Sequence, residues 1–397
     1  MENPVTEHSM TDPYNRLRVF RPQSARTLLW LACFASTVGV APAQWTEVVL
    51  HRFYGANDGR NPNAGLIRDS AGNLYGTTCC GTSPGSVYKI DNSRHETVLY
   101  SFKDGADGAF PLGGVIRDSA GNLYGTTYKG GATYAGVVYK VDSSGNETVL
   151  HSFKYGADGG NPYAGVIRDP AGNLYGTTYY GGVWGAGVVY KVDSSGNETV
   201  LYSFTGGADG GNPYAGVIRD PAGNLYGTAT RGGGSNVGVV YKVDSSGNET
   251  VLYSFVGGLD GAIPVGGVIR DSAGSLYGST ANGGNWGYGN VYKLDSAGNE
   301  TVLYSFTGGA DGESPFAGVI RDSAGNFYGT TFEGGASNKG VVYKVDSSGN
   351  ETVLYSFTGP DGAKPTAGLI FDKAGNLYGT TQYGGRERAG VVFKVKP

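Results

Sequence analysis

The sequence predicts an all-β protein, a seven-bladed β-propeller with four antiparallel strands per blade. Three observations predict it: a unit of about fifty residues recurs seven times, each unit holds four short runs of alternating apolar residues, and turn sequences rather than helical stretches separate the runs. The aspartate that opens each Asp-x-Ala-Gly turn falls at Asp69, Asp118, Asp169, Asp220, Asp271, Asp322 and Asp372, 49 to 51 residues apart. Composition agrees, since the 397 residues include 71 glycines and 16 prolines but only 16% charged side chains. Glycine and proline recur with a fixed period between Val, Leu, Ile, Tyr and Phe runs, which marks turns and not disorder.

The third copy shows the elements in order. Its strands are expected at Gly165 to Asp169, Leu174 to Thr178, Gly187 to Asp193 and Glu198 to Phe204. Alternation puts Val188, Tyr190 and Val192 on one face, and likewise Val200, Tyr202 and Phe204. The segments 169–173 (Asp-Pro-Ala-Gly-Asn) and 193–197 (Asp-Ser-Ser-Gly-Asn) carry the residues that tight hairpins require. Four antiparallel strands that are apolar on both faces must stack on neighbours to bury them. A linear β-solenoid would need parallel strands, which tight hairpins contradict. The propeller is expected over 44–397, with repeats starting near 64, 113, 164, 215, 266, 317 and 367.

The ends of the chain sharpen the expectation. Glu47 to Phe53 matches the fourth strand of every repeat but precedes the first copy, whereas the last copy stops after three strands. Residues 47–53 should therefore complete the last blade and close the ring, leaving no exposed edge. Removal of residues 44–53 should unfold or oligomerise the protein.

The repeated text Gly-Val-Ile-Arg-Asp-x-Ala-Gly-Asn-Leu-Tyr-Gly-Thr-Thr, Gly-Val-Val-Tyr-Lys-Val-Asp and Glu-Thr-Val-Leu-Tyr-Ser-Phe resembles the bacterial GloVer-type (Gloeo/Verruco) tandem repeat of extracellular choice-of-anchor proteins. The resemblance covers residues 47–397 and carries no established activity. Members with a C-terminal anchor differ from this chain, which ends at Lys396-Pro397, so free secretion is the expectation. The order of turns is also similar to the NHL propeller repeat, which implies that Gly-Val-Ile-Arg-Asp is the innermost strand.

Residues 1–43 lie outside the repeat and read as a cleaved export signal: Arg16, Arg18, Arg21 and Arg26 precede an apolar run from Thr27 to Val40, then Ala41-Pro42-Ala43. The run is short for a membrane span, and no later segment is uniformly apolar. Without this leader the chain is one unit more negative than its full-length −4, which argues against nucleic acid or an anionic membrane as partner. The mature chain keeps two cysteines, Cys79 and Cys80. As sequence neighbours they make a strained pair, and the expectation is two small loop residues rather than a redox centre.

Antiparallel order places the first and third turns of each blade at one end of the ring. The loops 79–84, 128–135, 179–186, 229–237, 281–288, 332–339 and 382–389, which differ between copies, lie at the other. They hold Tyr128, Tyr134, Tyr179, Tyr180, Trp184, Trp286, Tyr288, Phe332 and Tyr383, the candidate ligand-binding residues, with a carbohydrate or another extracellular protein as the partner they suit. Residues at the first loop position, such as Tyr179 and Phe332, have packing between blades as their competing role.

Catalysis needs unlike residues converging on one point, and most of this chain is seven copies of the same ones. His51 and His151 replace a framework tyrosine, and His95 sits in a turn. Seven Asp-Gly-x-x-Pro crossovers, beginning at Asp58, Asp107, Asp158, Asp209, Asp260, Asp311 and Asp361, offer one carboxylate each; they read as capped turns and not as calcium sites. Arg68 to Arg321 recur before the turn aspartate in six copies, Phe371 in the seventh; they are expected to bond neighbouring blades, in a direction the sequence leaves open. The expected function is thus a monomeric, secreted, non-enzymatic binding propeller without cofactor or metal. Two alternatives stay open: a hydrolase or lyase for a sugar-derived substrate, with its machinery among Arg231, Glu333, Arg386, Glu387 and Arg388, and a self-assembling structural protein.

Overall fold

Each blade is built outward from the ring axis. In the computed structural model, which describes residues 45–397, blade 3 consists of Ile167–Arg168, Leu174–Thr178, Val188–Val192 and Glu198–Ser203, hydrogen-bonded in that order and antiparallel throughout. Seven such four-stranded sheets make the propeller. The leader expected at 1–43 lies outside the described residues.

The turns form as their residues dictate. Gly172 donates its N–H to the Asp169 carbonyl (3.0 Å) and takes φ +93°, which lets Asp169 N–H return to the Asn173 carbonyl (3.0 Å). The Asp169 carboxylate accepts the Asn173 N–H at 2.9 Å.

Two details differ from the sequence reading. The inner strand is two residues long instead of five, because the blades converge toward the axis. A Cβ on Gly165 would run into the Gly114 carbonyl of the preceding blade, and Gly318 approaches Gly267 in the same way. Near the axis the backbone bonds sideways: Thr177 Oγ1 donates to the Ala215 carbonyl of the next blade (2.9 Å). The second difference is a β-bulge in the outer strand. Val189 pairs with Tyr202 but Tyr190 with Val200, leaving Leu201 as the extra residue. Val200 therefore packs toward blade 2 and Tyr202 toward blade 4, on opposite faces of the sheet.

The core lies between blades. Phe204, just past the outer strand of blade 3, has no exposed surface and meets Tyr241 of blade 4 edge-on at 5.0 Å. The corresponding Tyr190 is fully buried and lies across Gly176, where a Cβ would stand 2.5 Å from its hydroxyl. A glycine in the second strand is thus the space for the tyrosine of the third.

Ring closure is as the chain ends require. Thr46–Arg52 pairs antiparallel with Val391–Lys396 as the outer strand of blade 7. Phe53 joins Leu66, Tyr88, Tyr378 and Val392 in one core cluster, and Thr380 Oγ1 donates to the Ala64 carbonyl at 2.9 Å.

Candidate functional site

At the end of the ring that carries the conserved turns, side chains are committed to one another. Tyr175 donates its hydroxyl to Asp169 (3.0 Å), the Asn173 amide donates to the same carboxylate (2.8 Å), and Arg219 of the next blade lies 5.7 Å from the Tyr175 ring centre. Burial pushes the Asp169 carboxyl up, but these hydrogen bonds and the Arg219 charge outweigh it and hold the group below its ordinary value. The same clasp sets Arg117 over Tyr75, Arg270 over Tyr226 and, across the closure, Arg68 over Tyr378. The arginine direction is therefore backward, onto the preceding blade, through ring stacking rather than a salt bridge. Phe371 replaces it with an edge-on contact to Tyr328 at 5.1 Å.

The opposite end carries the variable loops on a constant backbone. The N–H groups of Ala132, Val183, Gly234, Asn285 and Ala336 each donate to the outer-strand serine of their own blade at 2.8–3.0 Å. Side chains can vary here because the backbone does not depend on them.

On blades 2 to 4 these side chains make a continuous aromatic surface. Tyr163 stacks on Tyr214 (4.6 Å, 23° between planes) and meets Tyr128 at 4.7 Å and Tyr179 at 5.1 Å. Tyr163 and Tyr214 follow crossover prolines just before the inner strand, so this half-buried set stands next to the axis. Outward from it, Tyr180 meets Tyr179 at 4.7 Å, and Trp184 on the same loop is 66% exposed. Lys129 lies within 5.2–5.8 Å of the Tyr128, Tyr134 and Tyr155 rings and donates to the Tyr155 hydroxyl at 3.1 Å.

The structure thus brings together Tyr128, Tyr134, Tyr179, Tyr180 and Trp184, and sets the other candidates apart. Trp286 is exposed on blade 5, where its loop bonds the crossover that carries the exposed Val256 and Leu259. Tyr288 packs against the core between blades 5 and 6, and Tyr383 is half-buried on blade 7. Phe332 is buried beneath Phe316 (4.9 Å) with Lys364 Nζ 4.6 Å from its ring centre. A covered ring has no face for a ligand, so Phe332 is a packing residue. Sequence reasoning missed Tyr155, Tyr163, Tyr214 and Lys129. A signal existed: the residue after the crossover proline is Asn63, Leu112, Tyr163, Tyr214, Val265, Phe316 or Thr366, varying within a segment otherwise read as scaffold.

Blades 6 and 7 present a polar counterpart on the same face. Lys364 Nζ bonds Glu333 Oε1 at 2.9 Å, and Glu313 and Glu333 are both buried. At the outer rim, each outer-strand glutamate faces the crossover aspartate before it: burial first, then the Asp158 charge, pushes Glu198 up to about 7. The crossover aspartates are occupied as caps, as where Asp209 accepts the Tyr202 hydroxyl and the Thr205 N–H at 2.9 and 2.7 Å. Among the described residues no three His, Cys, Asp or Glu side chains gather as metal ligands would. Cys79 and Cys80 are joined by a disulfide, which corrects their reading as two independent small residues; Cys79 is buried beneath the blade 1 loop and faces the backbone at Asn61.

Fold and surface define a propeller-repeat protein with an invariant end and a variable face. The model of the Gloeobacter/Verrucomicrobia repeat matches residues 37–167, 82–289 and 266–397, and the chain belongs to that family. No curated protein matches the sequence. Among solved structures it is similar to the extracellular domain of a putative one-component system, BT4673, from B. thetaiotaomicron (9% identity, 88% of this chain and 40% of that one, TM-score 0.53). It is also similar to a puromycin hydrolase (13% identity, 82% and 50%, TM-score 0.50) and a gluconolactonase of Xanthomonas campestris (13% identity, 88% of each, TM-score 0.44). At these identities the likeness is one of fold.

Proposed function

We propose that this protein is a secreted, non-enzymatic, carbohydrate-binding propeller whose ligand lies on the aromatic sector of the variable face, across blades 2 to 4. The observation that carries the reading is the continuous set Tyr128, Tyr163, Tyr214 and Tyr179, extended outward by Tyr180, Trp184 and the Lys129 cage. Tyrosine and tryptophan offer an apolar face for the C–H side of a sugar ring and a polar edge for its hydroxyls. Their mutual stacking and the fixed loop backbone reduce the ordering cost of binding.

A glycan array on residues 44–397 tests the reading. Trp184→Ala and Tyr180→Ala, both on exposed side chains, should each weaken the signal by roughly tenfold, an effect of ordinary hot-spot size, while Trp286→Ala leaves it unchanged. An unaltered signal in the Tyr180/Trp184 double variant would falsify the aromatic site. The hydrolase alternative draws on one observation, the buried Glu313 and Glu333 beside Lys364. Polysaccharide turnover that disappears in Glu333→Gln would replace binding by catalysis as the function.

A further inference from the structure

Blade 7 departs from the repeat at one place on the outer rim of the variable face. Arg52 stands where the six other copies have Ser101, Ser152, Ser203, Ser254, Ser305 and Ser356. Tyr54 stands where they have Lys, Thr or Val, and Arg386 where five loops have Ala132, Val183, Gly234, Asn285 and Ala336. Pro360 belongs to a crossover one residue shorter than the rest. These four residues, and no consensus residue, line one hollow of about 340 Å³.

The departure removes something five of the six other blades keep. In five blades the serine hydroxyl accepts the N–H of the loop residue at the Arg386 position. With Arg52 in place that acceptor is gone, and two guanidinium groups share a hollow instead. Among the described residues neither is in an ion pair. The nearby acids are Glu47, on the same strand as Arg52 and within reach of its charge; Asp361, which faces Glu47 and is capped by the Thr358 and Gly359 N–H groups; Asp58, which accepts the Tyr54 N–H at 2.8 Å; and the exposed Glu387 next to Arg386.

We propose that this hollow binds the oxyanion of an acidic saccharide, a carboxylate or a sulfate ester. Arg52 and Arg386 grip the anion, since two guanidinium forks match carboxylate and sulfate oxygens in geometry and charge. Tyr54, 55% exposed, supplies a ring face for the sugar, and Pro360 a rigid wall. The volume falls in the range of small-molecule sites and exceeds what a bare ion needs. Two cations that form no ion pair among the described residues, on a chain with a net charge of −4, also point to an anionic ligand. The site does not depend on the aromatic sector of blades 2 to 4.

Reversion to the repeat gives a test that the fold tolerates. Calorimetric titration of residues 44–397 uses a uronic-acid oligosaccharide, a sulfated oligosaccharide and their neutral counterpart. At least one acidic ligand should bind more than tenfold tighter than the neutral one, with affinity falling as salt rises, and the stronger of the two identifies the oxyanion. Arg52→Ser and Arg386→Ala should each weaken that binding at least tenfold, and Trp286→Ala should not change it. Arg52→Ser should melt at the same or a higher temperature, because it restores the serine acceptor. No preference for an acidic ligand, or unchanged binding in the Arg52→Ser/Arg386→Ala double variant, overturns the proposal. Equal affinity for inorganic sulfate alone overturns its saccharide part.

Discussion

In blade 3 the outer strand follows its partner through a five-residue hairpin; in blade 7 the outer strand, Thr46–Arg52, arrives from the other end of the chain. The packing is the same. Phe53 meets Tyr88 edge-on at 5.1 Å as Phe204 meets Tyr241 at 5.0 Å, and Glu47 faces Asp361 as Glu198 faces Asp158. Three consensus residues, however, are replaced in blade 7: Phe371 for the clasp arginine, Phe393 for the core tyrosine, Arg52 for the loop-binding serine. The difference teaches which consensus residues the ring needs and which it only repeats. Apolar volume is kept at the core position, while the tyrosine hydroxyl, the arginine charge and the serine hydroxyl are each dispensable in at least one blade.

The comparison can be broken most directly by deleting residues 44–53. Blade 7 would keep three strands with an unpaired edge, and the expected result is loss of the cooperative melt or conversion to oligomers, read by thermal melting and size-exclusion chromatography. A monomer with unchanged Tm would mean that the closing strand is not structural.

Next in size is the core position. Tyr190 is fully buried and its hydroxyl has no hydrogen-bond partner among the described residues, so Tyr190→Phe, which copies Phe393, should lie within about 1 kcal/mol of the parent in denaturant unfolding. Tyr190→Ala should cost about 3–5 kcal/mol. Equal effects of the two would show that the hydroxyl, and not the ring, is what six blades conserve in common.

Proton linkage tests whether the composite junction behaves like the others. Burial and the facing aspartate push Glu47, Glu96, Glu147, Glu198, Glu249 and Glu300 up to about 7, and Glu351 to about 8. A carboxyl that binds its proton more tightly when folded contributes stability that is complete below the ordinary value of 4.5 and lost as pH rises through about 7. Turn aspartates such as Asp169, held below 3.8, act in the opposite sense and lose their contribution in acid. Tm should therefore peak at about pH 4–5, and Glu351→Gln should flatten the alkaline limb. A Tm that climbs steadily from pH 5 to 8 would contradict the glutamate burial.

The smallest expected effect is at the clasp. Arg219→Phe, which copies Phe371, should cost about 0.5–1 kcal/mol and let the Asp169 carboxyl rise toward its ordinary value, as NMR titration would record. A larger loss would mean that blade 7 tolerates its phenylalanine only because of compensation elsewhere.

Seven copies, four strands each, the hairpin chemistry and the closing strand were all legible in the sequence, because each is a local or periodic signal written seven times over. The bulge at Leu201 was not, since a one-residue slip in pairing leaves no mark in a run that still alternates. The site was legible in part. Trp184 and Tyr180 announce themselves as loop aromatics, but Tyr163 and Tyr214 sit in the crossover, and nothing local shows that residues 51 positions apart stack on one another. Binding and packing both stay open for Phe332 and Tyr179 at the first loop position, and the Phe316 ring that covers Phe332 decides for packing there.

The sequence by itself determined the propeller, the partition into an invariant end and a variable face, and the strand that closes the ring, since hydrophobic period and turn residues act over a few positions and the repeat multiplies them. Only the tertiary structure decided which side chains meet. The arginines turn back onto the preceding blade, tyrosines from three blades form one surface, and Arg52 joins Arg386 across more than three hundred residues, because each of these contacts exists only once the blades are set side by side and the circle is closed.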